Sequence, residues 1–185
     1  NLQAAPVMLS TLFNKDHELV NVNAETQKLY AAMACPCEDV MVIDSDVILF
    51  NNPLVYFTDP QYTENSALFF KDRKLHPNND GLVSFLVDSV VAQPISGALS
   101  GSAMFTQQSS FQQDSSLVVV KKTEYKWLGL VAAMGLASNP VRDAWKHFRG
   151  DKETWWMGWE TVALPYVFES TDPASAGFQT EQDGK

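Results

Sequence analysis

Apolar residues in this chain follow two rhythms. Short uninterrupted runs stand at 40–43 (Val-Met-Val-Ile), 67–70 (Ala-Leu-Phe-Phe) and 117–120 (Leu-Val-Val-Val). Runs of that length without polar alternation predict strands covered on both faces. Between them lie stretches with helical spacing. Residues 24–34 follow Asn23 as an N-cap, carry Leu29, Tyr30 and Met33 on one face, and stop at Pro36. Residues 123–138 begin at Thr123 as a cap and end at Asn139-Pro140. In 152–163, Trp155, Trp159 and Val162 fall at i, i+4, i+7 between Asp151 as a cap and Pro165 as a stop. A short strand is expected at 18–22 and a helix at 81–91. Residues 47–50 continue extended into the turn Asn51-Asn52-Pro53. Residues 94–116, rich in Ser, Gly and Gln without periodicity, predict a long mobile surface loop. Strands alternating with helices predict an α/β domain over 1–178, built on a mainly parallel sheet flanked by helices, with a frayed tail at 179–185.

Composition narrows the function. At 45% hydrophobic and 19% charged residues, the 185-residue chain can bury a core and is too apolar for disorder. A formal charge of −9 argues against a nucleic-acid surface, which needs clustered Lys and Arg. It does not argue against a nucleotide, because a divalent cation can stand between carboxylates and a diphosphate. No apolar run reaches the roughly 20 residues of a membrane helix; the stretch 128–137 is short and carries two glycines. The chain begins at Asn1 without Met, so any targeting or membrane segment is expected outside it. Cys35 and Cys37 lack the further ligands a zinc site needs, and His17, His76 and His147 are scattered. The cysteines read as small, half-buried residues before a strand, or as thiols pairing with a partner outside this chain.

The chemical signal is Asp44-Ser45-Asp46, directly after the first apolar run. Ligands of open α/β sheets collect at the carboxyl ends of the strands. Carboxylates two residues apart point to opposite faces of an extended chain. A bend there lets one bind a metal directly and the other act through water or a sugar. Hard oxygen ligands suit Mn²⁺ or Mg²⁺. Two other readings fit the same pattern. The carboxylates can be turn residues without a ligand. They can also open a phosphohydrolase of the haloacid-dehalogenase type, with Asp44 as nucleophile and Asp46 as general acid. That chemistry wants a later acidic cluster after a buried strand. Here Gly150-Asp151 follows Trp145-Lys146-His147-Phe148-Arg149, which is not one.

Several blocks then agree in order. Val40-Met41-Val42-Ile43-Asp44-Ser45-Asp46-Val47, Asn52-Pro53, Phe57-Thr58-Asp59-Pro60 and Ala67-Leu68-Phe69-Phe70-Lys71-Asp72-Arg73 resemble the fungal-type α-mannosyltransferases, a family that includes the α-1,3-mannosyltransferases. Gly150-Asp151-Lys152-Glu153-Thr154-Trp155-Trp156 and Leu164-Pro165-Tyr166 resemble that family's second signature.

The resemblance implies a GT-A fold with a Rossmann-like nucleotide-binding half, here an incomplete domain whose first strand–helix unit is absent. It implies retaining transfer of mannose from GDP-mannose to a glycan or glycoprotein acceptor. The protein would be a type II membrane protein of the Golgi lumen, anchored through a segment outside this chain. Asp44 and Asp46 would hold Mn²⁺ (or Mg²⁺) and the donor. Asp72 and Arg73 would touch donor sugar or phosphate, or form an ordinary ion pair. Asp114 and Ser115 would face the acceptor or sugar. Trp155 and Trp156 would stack on it, although tryptophans at helical spacing also suit a core. Asp151 and Glu153 would be catalytic, or would serve the start of a helix as cap and dipole partner. The family shows Ser-Gly where this chain has Ser115-Ser116, so Ser116 would be strained if that backbone needs a positive φ. A non-catalytic sugar- or nucleotide-binding remnant of the same fold is the alternative from another functional class.

Overall fold

The three apolar runs form strands that lie side by side. The computed structural model describes residues 27–74, 83, 86–91, 94–138 and 150–174. It contains β1 (Asp39–Ile43), β2 (Ala67–Lys71), β3 (Gln113–Lys121) and a short β4 (Val167–Phe168). Among the described residues the sheet order is β1-β3-β2-β4. β3 pairs antiparallel with both β1 and β2, whereas β2 and β4 pair in parallel. Thus β1, β2 and β4 share one direction and β3 alone opposes them. The expected mainly parallel sheet holds for strand direction but not for pairing, because the reversed strand is lodged between two others. The result is a mixed α/β arrangement compatible with an incomplete GT-A-like domain.

The sheet separates two apolar layers. Phe69, Val118 and Val120 face a large cluster with Leu29, Leu130, Trp155 and Trp159. Leu68 and Val119 face the other way, onto Tyr62. β2 and β3 are buried on both faces as their sequences require. β1 lies at the edge of the described sheet, and its Ile43 is 40% exposed.

Helix α1 (Gln27–Ala34) packs against α4 (Trp127–Ala137), and α4 crosses α5 (Thr154–Thr161). That crossing needs two glycines. A Cβ on Gly158 would lie 2.4 Å from the Gly129 carbonyl oxygen, and one on Gly129 would lie 2.5 Å from the Trp159 ring. Asp59 caps α2 (Pro60–Asn65) by accepting from Gln61 N at 2.7 Å.

Three expectations change. Residues 94–116 are not an open loop. They contain α3 (Gly97–Ser100), bury Leu99 and Met104, and run into β3 at Gln113. Their order comes from side-chain ties that composition hides: Gln112 Oε1 accepts from Ala103 N at 2.8 Å. Thr123 opens a turn rather than a helix, and α4 starts at Trp127 with no side-chain cap. Within 81–91, where a helix is expected, Val83 is helical and Leu86–Val90 widen into a π-helical turn. The expected strand at 18–22, Asn23, the tail 179–185 and the three histidines lie outside the described residues.

Candidate active site at the carboxyl edge of the sheet

β1 and β2 end where β3 begins. Ile43 pairs with Leu117 and Lys71 with Gln113, so Asp44, Asp72, Asp114 and Ser115 reach one edge of the sheet. With β3 between them, the ends of β1 and β2 stand about 10 Å apart. The partner of β2 jumps from Val118 at Phe69 to Asp114 at Phe70, leaving residues 115–117 as a bulge. Such bulges re-aim side chains at sheet edges. Backbone bonds fasten both ends: Asp44 N donates to Ser116 O at 2.9 Å and Asp72 N to Gln112 O at 3.0 Å. Gly150, at φ 68°, makes the left-handed turn that brings Asp151, Lys152 and Glu153 to the same edge.

Asp151 ties three elements together. Ser115 Oγ donates to its Oδ1 at 3.2 Å, and Trp155 Nε1 donates to Oδ2 at 2.8 Å. Lys28 Nζ, from α1, stands 3.5 Å from that Oδ2 and 2.6 Å from Asp44 Oδ1. Burial pulls the Lys28 pKa down, but Asp44 and Asp151 outweigh it and leave the ammonium above its ordinary value. The Asp151 carboxylate is not the expected helix cap. Thr154 N and Oγ1 donate instead to the Asp151 carbonyl, at 3.1 and 2.7 Å.

Glu153 is 2% exposed. Its Oε1 accepts from Gln112 N (3.0 Å) and Gln113 N (3.3 Å), and its Oε2 from Trp156 Nε1 (2.6 Å). Burial pushes its pKa up to about 7, against the pull of these donors and of the Lys152 charge. With both oxygens engaged and no surface, Glu153 has the geometry of a strut between α5 and the start of β3. Trp155 and Trp156, expected to stack on sugar or to fill the core, are 0% and 1% exposed and belong to the core cluster. Trp156 lies among Tyr166 and Phe168 rather than facing a pocket.

Asp72 is held as an ion pair. Lys152 Nζ bonds its Oδ2, while its Oδ1 accepts from Arg73 N at 2.7 Å. Arg73 is exposed and lines a cleft of about 370 Å³ with Lys71, Lys74, Gln108 and Phe111. Asp114 is half-buried and accepts from Ser116 N at 2.9 Å. Ser116 is not among the residues with positive φ, so replacing the family's glycine costs no backbone strain. Asp46 is exposed in the turn that Val47 N closes onto Asp44 O at 3.1 Å.

No group of three or more His, Cys, Asp or Glu able to hold a metal occurs among the described residues. Asp44 and Asp46 therefore suit a hard divalent ion only as a partial set, completed by water and ligand phosphate. That is the usual habit of Mg²⁺. Sequence reasoning missed Lys28. Local sequence carries no signal for it, because its partners Asp44 and Asp151 lie far along the chain.

The family model described as "Mannosyltransferase putative" matches residues 2–185. The chain is 27% identical over 174 residues to "Putative alpha-1,3-mannosyltransferase MNN14" of Candida albicans, covering 88% of this chain and 25% of that protein. It is 25% identical over 172 residues to "Putative alpha-1,3-mannosyltransferase MNN15" of the same organism, covering 85% and 22%. The chain thus spans about a quarter of the length of these curated relatives.

Proposed function

This chain belongs to the mannosyltransferase family whose model it matches, and from that premise we propose that it carries the donor side of a glycosyltransferase active site. The observation that supports this reading best is the meeting of Asp44, Asp72, Asp114, Ser115 and Asp151 at the carboxyl edge of one sheet. There a donor nucleotide would find carboxylates for a metal and cations for phosphate. The reaction is retaining transfer of mannose from GDP-mannose to a glycan or glycoprotein acceptor. Its setting is the Golgi lumen.

Asp44 and Asp46 would hold Mn²⁺ or Mg²⁺, and the bound ion would supply positive charge to offset the negative charge of the diphosphate leaving group. Asp44 is fixed by its backbone bond to Ser116 and by Lys28. Asp46, exposed in the turn, reaches the ligand directly or through water. Asp114 lies half-buried between the two strand ends. It supplies the negative charge that faces the developing positive charge on the sugar. Asp151 acts through others: it fixes Ser115 on one side and Lys28 on the other. Asp72 sets Lys152 and the backbone of Arg73, which presents its guanidinium to phosphate or sugar.

The test is to incubate the full-length protein with GDP-mannose and Mn²⁺ and measure released GDP with and without oligomannose. Acceptor-dependent GDP release, lost in Asp114→Asn, is expected. Donor binding without release in any condition favours the non-catalytic remnant and overturns the catalytic reading.

A further inference from the structure

Lys28 occupies the place where a cation bears on the site. Its ammonium is 2.6 Å from Asp44 Oδ1 and 3.5 Å from Asp151 Oδ2, so one positive charge serves two carboxylates. The Lys28 and Asp44 side chains keep a quarter or more of their surface, while the Asp151 side chain keeps only 6%. The two ends of this bridge therefore differ in kind. Asp151 is locked by Ser115 and Trp155 and cannot follow Lys28 if it moves. Asp44 sits at a solvent-facing strand end, where water or another cation can take the lysine's place.

We propose that Lys28 is a resident placeholder cation. It holds Asp44 in position while no metal is bound, and it is displaced from Asp44 onto Asp151 when a divalent ion arrives. This rests on the metal reading of Asp44 given above, and deepens it by naming a competitor built into the fold. The reason is electrostatic. The Lys28 ammonium already engages Asp44 Oδ1, and a divalent ion and an ammonium held within a few ångströms of one another repel. Asp151 gives the displaced ammonium a partner, so the lysine stays paired and Asp151 does not become a buried lone charge. Metal binding is thereby coupled to the position of α1, the helix that carries Lys28.

The competition has a signature that a purely structural lysine lacks. Removing a structural residue should weaken metal binding by loosening the site. Removing a competitor should strengthen it. Mn²⁺ binding in the presence of saturating GDP is measured by calorimetry on the full-length protein, wild type beside Lys28→Met and Lys28→Gln, with thermal melting in the same buffers. Both variants are expected to bind Mn²⁺ several-fold to about tenfold tighter than wild type. Without metal both should melt lower, since Asp44 and Asp151 then lack their shared counter-charge, and Mn²⁺ should raise their melting points more than it raises the wild type's. Gln keeps most of the side chain's length, so it stands in if Met does not fold. Unchanged or weaker Mn²⁺ binding in the variants, with binding intact in the wild type, overturns the placeholder alone. Absence of Mn²⁺ binding in wild type and variants alike overturns the metal reading of Asp44 together with it.

Discussion

Two sets of acids in this domain look alike in sequence and are opposite in physics. Asp151, Glu153 and Glu160 belong to the entrance and body of α5 and are 4%, 2% and 3% exposed. Their oxygens are occupied by the protein. Glu160 accepts from Ser96 N (2.8 Å), Ser96 Oγ (2.6 Å) and Tyr166 Oη (2.6 Å), tying α3 and the segment before β4 to α5. Asp44, Asp46 and Asp114 sit at the strand ends with part of their surface in solvent. The first set spends its charge on N–H and O–H donors and builds the scaffold. The second also meets the protein, Asp44 at Lys28 and Asp114 at Ser116 N, and in the proposed function its solvent-facing side is what a ligand would reach. Acidity near a signature motif is thus a poor guide to chemistry, and the occupancy of each oxygen is a better one.

The contrast breaks most visibly through Asp44. Asp44→Asn should lower turnover of the full-length enzyme by about 10²–10³-fold, the scale of losing one electrostatic transition-state contact. The far-UV spectrum should stay unchanged. A variant with near-wild-type kcat would move the site elsewhere. Next comes the scaffold. Gly158→Ala drives a methyl group into the Gly129 carbonyl and Ala133. It should cost about 3 kcal/mol in denaturant unfolding, because neither helix can yield without moving the Trp155–Trp159 layer.

Glu153→Gln should cost about 2 kcal/mol, because its amide turns a donor toward either the Trp156 indole N–H or the two backbone N–H groups. The same residue predicts a pH dependence. Its pKa lies at about 7 in the folded state against the usual 4.5, so the folded state holds the extra proton between those values. Its contribution is therefore fully present below about pH 4.5 and is lost as pH rises through 7, a decline of about 3 kcal/mol. Unfolding curves from pH 4.5 to 8 should show that decline in the wild type and a flatter profile in Glu153→Gln. The smallest effect belongs to Ser116. Ser116→Gly restores the family's residue where the backbone does not need it, and should destabilise by about 0.5–1 kcal/mol without a gain in turnover.

The strands were legible because burial on both faces leaves a run of apolar residues whatever the ladder. The reversal of β3 was not, since Leu117–Val120 would read the same in a parallel pair. The Asp44-Ser45-Asp46 turn was legible as the end of a strand. The roles of Asp151 and Glu153 were not, because they depend on Ser115, Gln112 and Gln113, some 36 to 41 residues away along the chain. Residues 94–116 misread for the same reason. Their order comes from contacts such as Ser96 with Glu160, 64 residues apart, which local composition cannot show. Trp155 and Trp156 were open to two readings, and the burial of Trp156 beside Tyr166 and Phe168 depends on residues that follow α5, which helical spacing alone does not show.

The central claim is that the strand-end carboxylates hold a metal–nucleotide complex. Calorimetry of GDP with the full-length protein, in Mn²⁺ and in excess chelator, tests it most directly when wild type is compared with Asp46→Asn. Asp46 is exposed, so its loss should leave the fold untouched. The expected outcome is GDP binding by the wild type that requires Mn²⁺, and loss of that Mn²⁺-dependent binding in Asp46→Asn. Equal GDP affinity in both proteins, or affinity indifferent to chelator, would contradict it.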